Sequence, residues 1–76
     1  MTIAVANWTT VLLEKIANHD LHQREVAQAY ACAIRSTQFS DEFVDWPRVN
    51  KAIMSRWSRS GLERIKRMAW SGRCFE

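Results

Sequence analysis

Residues 45–70, DWPRVNKAIMSRWSRSGLERIKRMAW, decide the fold because two amphipathic segments stand here on either side of a short link, SRSG. Apolar side chains recur at intervals of three and four in both segments, which is the spacing of one face of an α-helix. They are Trp46, Val49, Ile53 and Trp57 in the first segment, and Leu62, Ile65, Met68 and Ala69 in the second. The pattern therefore predicts two helices joined by a tight turn.

The link has about the length of the turn in a helix-turn-helix motif. That motif requires a small side chain in its first helix where the two helices cross, but here the bulky Trp57 takes the position when Gly61 is placed in the turn. The same alignment buries Arg67, which is a charged side chain. We therefore predict an αα-corner with basic faces.

Two further helices are predicted in residues 1–45. Asn7 is a candidate N-cap for the first helix, since a side-chain oxygen there can accept a hydrogen bond from a free backbone N–H. Asp20 is the candidate N-cap of the second, because Gln23 three residues later completes a capping-box pattern. The polar segment STQFSDEF then breaks this second helix.

The sequence as a whole predicts the all-α class, as a small compact bundle of three to four short helices in a single domain spanning residues 1–76. Only two Gly and one Pro are present, which argues against a small β-barrel with many turns. Pro47 suits the first turn of a helix and disfavours helical geometry at Trp46. The predicted core consists of Trp8, Leu12, Ile16, Val26, Tyr30, Ile34, Val49, Ile53, Trp57, Leu62 and Ile65.

Cysteine usage and hydropathy bear on where the protein works. The two cysteines, Cys32 and Cys74, are too few for the disulfide framework of a small secreted domain, so we expect free thiols in a reducing cytosol. The N-terminal residues lack the basic start and the uninterrupted apolar run of a signal peptide. No segment approaches the roughly 20 apolar residues that cross a bilayer. A cytoplasmic protein with no membrane span is therefore expected.

Charge divides the chain into an acidic half, residues 1–45, and a basic half, residues 46–76. The first half has three basic and six acidic side chains, a formal charge of −3, and the second has eight basic and two acidic ones, a charge of +6, which together give the chain's +3. Such asymmetry indicates an anionic partner. The alternative is that the acidic half folds back and neutralises the basic half.

The basic half favours a nucleic-acid partner, because Lys and Arg spaced along a surface bind phosphates without any special motif. At about 100° per residue, Arg48, Lys51 and Arg59 fall on the side of their helix away from the apolar stripe. Trp70 lies toward the polar side of the last helix, where it is free to stack. The candidate nucleic-acid-binding residues are Arg48, Lys51, Arg56, Arg59, Arg64, Lys66, Arg67, Trp70 and Arg73.

Surplus aromatic side chains favour a protein partner as a second class of function. Phe39, Phe43 and Phe75 are hard to place inside one small core, and exposed aromatic side chains mark interfaces. A small adaptor or inhibitor of a larger protein fits this pattern, and so does a homodimer in which the acidic and basic halves pair. The style of residues 45–70 is similar to that of small phage-encoded proteins, which is compatible with an accessory role.

Catalytic and metal-binding patterns are weak in this sequence. His19 and His22 are the only histidines, and they have no paired cysteines at the spacing of a zinc site. Asp41, Glu42 and Asp45 are better explained as acidic groups that stabilise the positive end of the following helix. There is no Gly-rich phosphate loop. We expect a non-enzyme with no cofactor, no metal and no small-molecule substrate.

Overall fold

Three helices make up most of the residues that the structure describes. The computed structural model describes residues 8–38 and 43–71. Helix α1 is Trp8–Ala17, α2 is Gln23–Gln38 and α3 is Trp46–Ser71, and the described residues contain no strand. The all-α class is confirmed, and the described residues form three helices.

The long helix α3 is interrupted at a single residue. Ser58 has φ 67° and ψ −179°, which is a backbone conformation that residues other than Gly rarely adopt. The helix resumes at Arg59, so the break falls inside the predicted SRSG link but is a kink in one helix. We refer below to the N-terminal segment of α3, residues 46–57, and to its C-terminal segment, residues 59–71.

Gly61 lets the two segments of α3 approach each other just after the kink. The residue is buried, and a Cβ atom added to it would overlap the Cβ of Trp57. The side-chain amide nitrogen of Gln23, at the start of α2, would lie 3.4 Å from the added atom. Only glycine therefore fits at this corner.

Asp45 is the N-cap of α3. Its Oδ1 accepts a hydrogen bond from the backbone N–H of Arg48 at 3.4 Å, and its carbonyl oxygen accepts the first helical bond from Val49 at 3.0 Å. The N–H of Asp45 in turn donates to the hydroxyl of Thr9 in α1, at 3.0 Å. Because Asp45 caps the helix, Trp46 is the first helical residue. The sequence predicts that Pro47 disfavours helical geometry at Trp46, but Pro47 does not prevent it.

The N-cap of α2 is His22 rather than the expected Asp20. The carboxylate of Glu25 accepts a hydrogen bond from the backbone N–H of His22 at 2.9 Å, which is the reciprocal half of a capping box. Asp20 lies instead in the turn between α1 and α2, where its N–H donates to Oδ1 of Asn18. The N-cap therefore lies two residues after the position that the sequence pattern predicts. The pattern points to Asp20 because Asp is a more usual N-cap than His.

The core lies between the three helices and is built largely from α2 and α3. The predicted core residues are buried except for Trp8, Ile34 and Trp57, which are partly buried and pack against the others. The small side chains of α2 are additional core members that the aliphatic pattern did not indicate. They are Ala27, Ala29, Ala31 and Ala33. Their small volume brings α2 close to its neighbours.

Cys32, on α2, is disulfide-bonded, so the expectation of a free thiol at this position is wrong. Cys74 lies outside the described residues, as do Asn7, Phe39, Arg73 and Phe75. Disulfides persist mainly in oxidising compartments. The expectation of a cytoplasmic protein rested partly on free thiols, and it loses that support.

Candidate nucleic-acid interface

Five of the predicted basic binding residues are exposed along α3. The core-facing side of this helix contains Val49 and Ile53 in the N-terminal segment and Leu62 and Ile65 in the C-terminal segment. Five basic side chains on the other sides of the helix face solvent, whereas Arg56 and Lys66 are half-buried. We call these five the basic surface: Arg48, Lys51, Arg59, Arg64 and Arg67.

The basic surface is not neutralised by acidic side chains of the described residues. None of its five members has a side-chain hydrogen bond or ion pair there, and the ion pair found among those residues joins Lys66 to Glu63 at 3.9 Å within α3 itself. The carboxylates of Glu25 and Asp45 cap helices instead. Five positive charges therefore remain available to an anion.

Arg56 occupies a structural position although it belongs to the same basic run. Its guanidinium donates hydrogen bonds to the carbonyl oxygens of Ile16 at 2.8 Å, Asn18 at 3.1 Å and Leu21 at 2.7 Å, with a longer one to His19 at 3.5 Å. These carbonyls belong to the C-terminal end of α1 and to the turn that follows. A positive charge at a helix C-terminus is favourable because the carbonyl ends carry partial negative charge.

The Arg56 side chain also lies over an aromatic ring. Its guanidinium carbon is 4.0 Å from the centre of the Trp57 ring, within the range of a cation–π interaction. The side chain as a whole is half-buried. Arg56 therefore connects α3 to the end of α1, and its donors are occupied by protein carbonyls.

Trp70 lies at the edge of an open groove next to the basic surface. Its side chain is 73% exposed, although tryptophan is highly buried on average in folded proteins. The groove has a volume of about 220 Å³. Its lining comes from α2 and from both segments of α3: Tyr30, Ile34, Thr37, Gln38, Trp46, Lys66 and Trp70.

The inner part of this groove is fixed by an aromatic pair. The rings of Tyr30 and Trp46 are 4.7 Å apart between centres and inclined at 45°, which is a favourable tilted arrangement. The Tyr30 hydroxyl donates to Oδ1 of Asn50 at 2.9 Å. Burial raises the pKa of Tyr30. The hydroxyl is thus kept neutral and donating at physiological pH.

Phe43 is the described member of the predicted protein interface, and its side chain is 76% exposed. It precedes the buried Val44 just before α3. Met54, in the N-terminal segment of α3, is a further exposed apolar side chain, at 38%. The structure therefore leaves apolar as well as basic side chains open to solvent.

Residues 8–38 and 43–71 contain neither a metal-binding cluster nor a membrane-spanning helix. No three His, Cys, Asp or Glu side chains there lie close enough together to hold a metal ion. No helix in this part of the chain has the length and apolar character needed to cross a membrane.

No family model, curated protein or solved structure matches this sequence.

Proposed function

We propose that this protein is a non-enzymatic nucleic-acid-binding protein that contacts the phosphate backbone through the basic surface of α3. The observation that carries the proposal is that Arg48, Lys51, Arg59, Arg64 and Arg67 are exposed and have no acidic partner among the described residues. Lys66 stands next to them, and Arg73 follows outside the described residues. Arg56 is left out of the surface because its donors are occupied.

Phosphate contacts of this kind have a recognisable dependence on salt. Each contact releases a condensed counterion, so that the logarithm of the binding constant falls linearly with the logarithm of salt concentration, with a slope of about −0.9 per phosphate on duplex DNA. Four to five contacts from the basic surface then give a slope of about −4. Because the side chains are long and exposed, and phosphate contacts carry no sequence information directly, we expect little preference for sequence.

The test is a titration of the purified protein with a fluorescent oligonucleotide at several salt concentrations. Arg59→Ala and Arg67→Ala each remove one phosphate contact, so each should weaken binding to all sequences alike and reduce the slope by about one. Arg24→Ala is the matched control, since Arg24 is an exposed arginine on α2 and its loss changes the net charge by the same amount. Equal losses in all three variants would contradict a defined surface on α3.

A protein partner is the second candidate function, and the exposure of Phe43 favours it. An exposed phenylalanine ring is costly in water and gains free energy when an interface covers it. The partner is then either a larger protein or a second copy of this chain. In the first case this chain acts as a small accessory protein of the kind that phages encode. In either case the basic surface pairs with carboxylates of the partner, and DNA affinity at physiological salt is absent.

Sedimentation velocity at rising concentration separates these two proposals. A monomer at all concentrations excludes the homodimer. A dimer that Phe43→Ala dissociates, together with no binding of DNA even at low salt, would replace the nucleic-acid proposal by the protein-interaction one.

A further inference from the structure

Trp70 is the exposed aromatic residue of α3, and two cations stand one helical turn before it. Lys66 precedes Trp70 by four residues and Arg67 by three, and side chains at these spacings are neighbours on a helix surface. Most of the Trp70 side chain is open to solvent. A flat apolar surface bordered by two positive charges results.

The groove beside Trp70 has the size of one flat group. Its volume of about 220 Å³ lies below the roughly 300–1,000 Å³ of sites that enclose whole small molecules. Tyr30 and Trp46 form its aromatic inner part, and Ile34 and Thr37 of α2 line it opposite α3. Such a groove suits one ring of a larger ligand, with the rest of the ligand lying outside.

We propose that this groove binds one unpaired base of a single-stranded nucleic acid, stacked on Trp70, while Lys66 and Arg67 bind the adjoining phosphates. Base stacking on an aromatic side chain next to a positively charged backbone track is the usual basis of single-strand binding. The inference rests on the proposed function and makes it more specific. Bases in a duplex are already stacked on each other, so the groove gives a preference for single strands.

The positive charges beside the groove favour an unpaired base over an apolar protein side chain as its occupant. Both would fill the aromatic groove, but a nucleotide carries a negative phosphate on either side of its base, whereas an apolar side chain brings no charge of its own. Lys66 has just a long contact of 3.9 Å with Glu63, and Arg67 has no ion pair among the described residues, so both can turn to a phosphate. The groove is also on the same helix as the basic surface, so one strand can reach both.

The experiment compares three oligonucleotides of equal length: single-stranded oligo(dT), an abasic strand with the same number of phosphates, and a duplex. The parent protein should bind oligo(dT) more tightly than the abasic strand. Trp70→Ala should weaken oligo(dT) binding by about 5- to 150-fold, the range for loss of one stacked base, and leave binding to the abasic strand and the duplex unchanged. Trp70→Phe should retain part of the affinity.

Phe43→Ala is the matched control, because it removes another exposed aromatic side chain that does not line the groove. Its affinity for oligo(dT) should equal that of the parent protein. Equal binding of oligo(dT) and the abasic strand by the parent protein would overturn the base-binding groove and leave the proposed function standing. Failure to bind any of the three would overturn both. A self-association that Trp70→Ala abolishes would assign the groove to a second copy of the chain.

Discussion

Replacing Arg56 by alanine is expected to destabilise the fold strongly, although Arg56 belongs to a run of exposed basic residues. The guanidinium donates short hydrogen bonds to the carbonyl oxygens of Ile16 and Leu21, both partly buried, and longer ones to Asn18 and His19 in the exposed turn. Water can replace the arginine at the exposed carbonyls. The two partly buried carbonyls are the ones that lose their donor.

The expected cost follows from these two carbonyls. Leaving a buried polar group without its partner costs about 1–3 kcal/mol, and bonds to a charged donor lie at the upper end of the range for hydrogen bonds. Partial exposure lowers the figure for each, so Arg56→Ala should reduce the free energy of unfolding by about 2–4 kcal/mol. A domain of this length has a total stability of about 4–11 kcal/mol, so roughly a fifth of it or more would be lost.

Urea denaturation followed by circular dichroism measures this loss, and two further variants separate its causes. Arg56→Met keeps an unbranched apolar stem but no donor, so it should be nearly as unstable as Arg56→Ala if the hydrogen bonds dominate. Arg59→Ala removes an exposed arginine three residues away and should change the stability by no more than about 0.5 kcal/mol. Equal midpoints for Arg56→Ala and Arg59→Ala would refute the structural role of Arg56.

Three further predictions concern the kink in α3 and the start of α2. Gly61→Ala should cost about 1–3 kcal/mol in urea denaturation, because the new methyl group overlaps the Cβ of Trp57, and a parent-like midpoint would show that the corner can open. Ser58→Gly should act in the opposite direction and raise the melting temperature. The substitution removes the strain of a positive φ at Ser58, which costs about 1–3 kcal/mol, and it adds up to about 1 kcal/mol of chain entropy lost on folding. A lower melting temperature would argue against this strain. The pKa of Glu25 is lowered mainly by its hydrogen bond from the N–H of His22, so the stability from that bond is present above the unfolded pKa and is lost as pH falls through the folded one. Glu25→Gln keeps an acceptor that does not titrate and should therefore flatten the pH dependence of the melting temperature in this acidic range, whereas an unchanged profile would exclude Glu25 as its source.

The sequence predicts the helices well because their signals are local. Apolar residues at helical spacing mark the buried side of each helix, and Leu12, Val26, Val49, Ile53 and Ile65 are all buried as expected. A break near SRSG is also visible, since Gly and Ser favour interruption of a helix. The number of residues in the break could not be read from composition, because one residue in an unusual conformation is enough to produce a kink.

The structural role of Arg56, which its basic neighbours do not share, could not be predicted from the sequence. It depends on hydrogen bonds to residues 35 to 40 positions away in the chain. On a helical wheel Arg56 lies between the apolar stripe and the polar side, as do many exposed arginines. The missing signal is the position of the end of α1, whose free carbonyls need donors. Only the packing of α1 against α3 brings those carbonyls to Arg56.

Helix capping contributes to the absence of acidic partners for the basic surface among the described residues. The acidic half contains enough carboxylates to pair with much of the basic half, but Glu25 and Asp45 are used at helix N-termini, where free N–H groups need acceptors. Arg64 and Arg67 then stand three residues apart on one helix, where like charges repel by a few tenths of a kcal/mol. In the free protein this repulsion opposes folding, and phosphates bound between the two arginines would remove it. The uncompensated charge therefore costs stability in isolation and becomes favourable when a polyanion is present, which is the expected property of a surface that binds one.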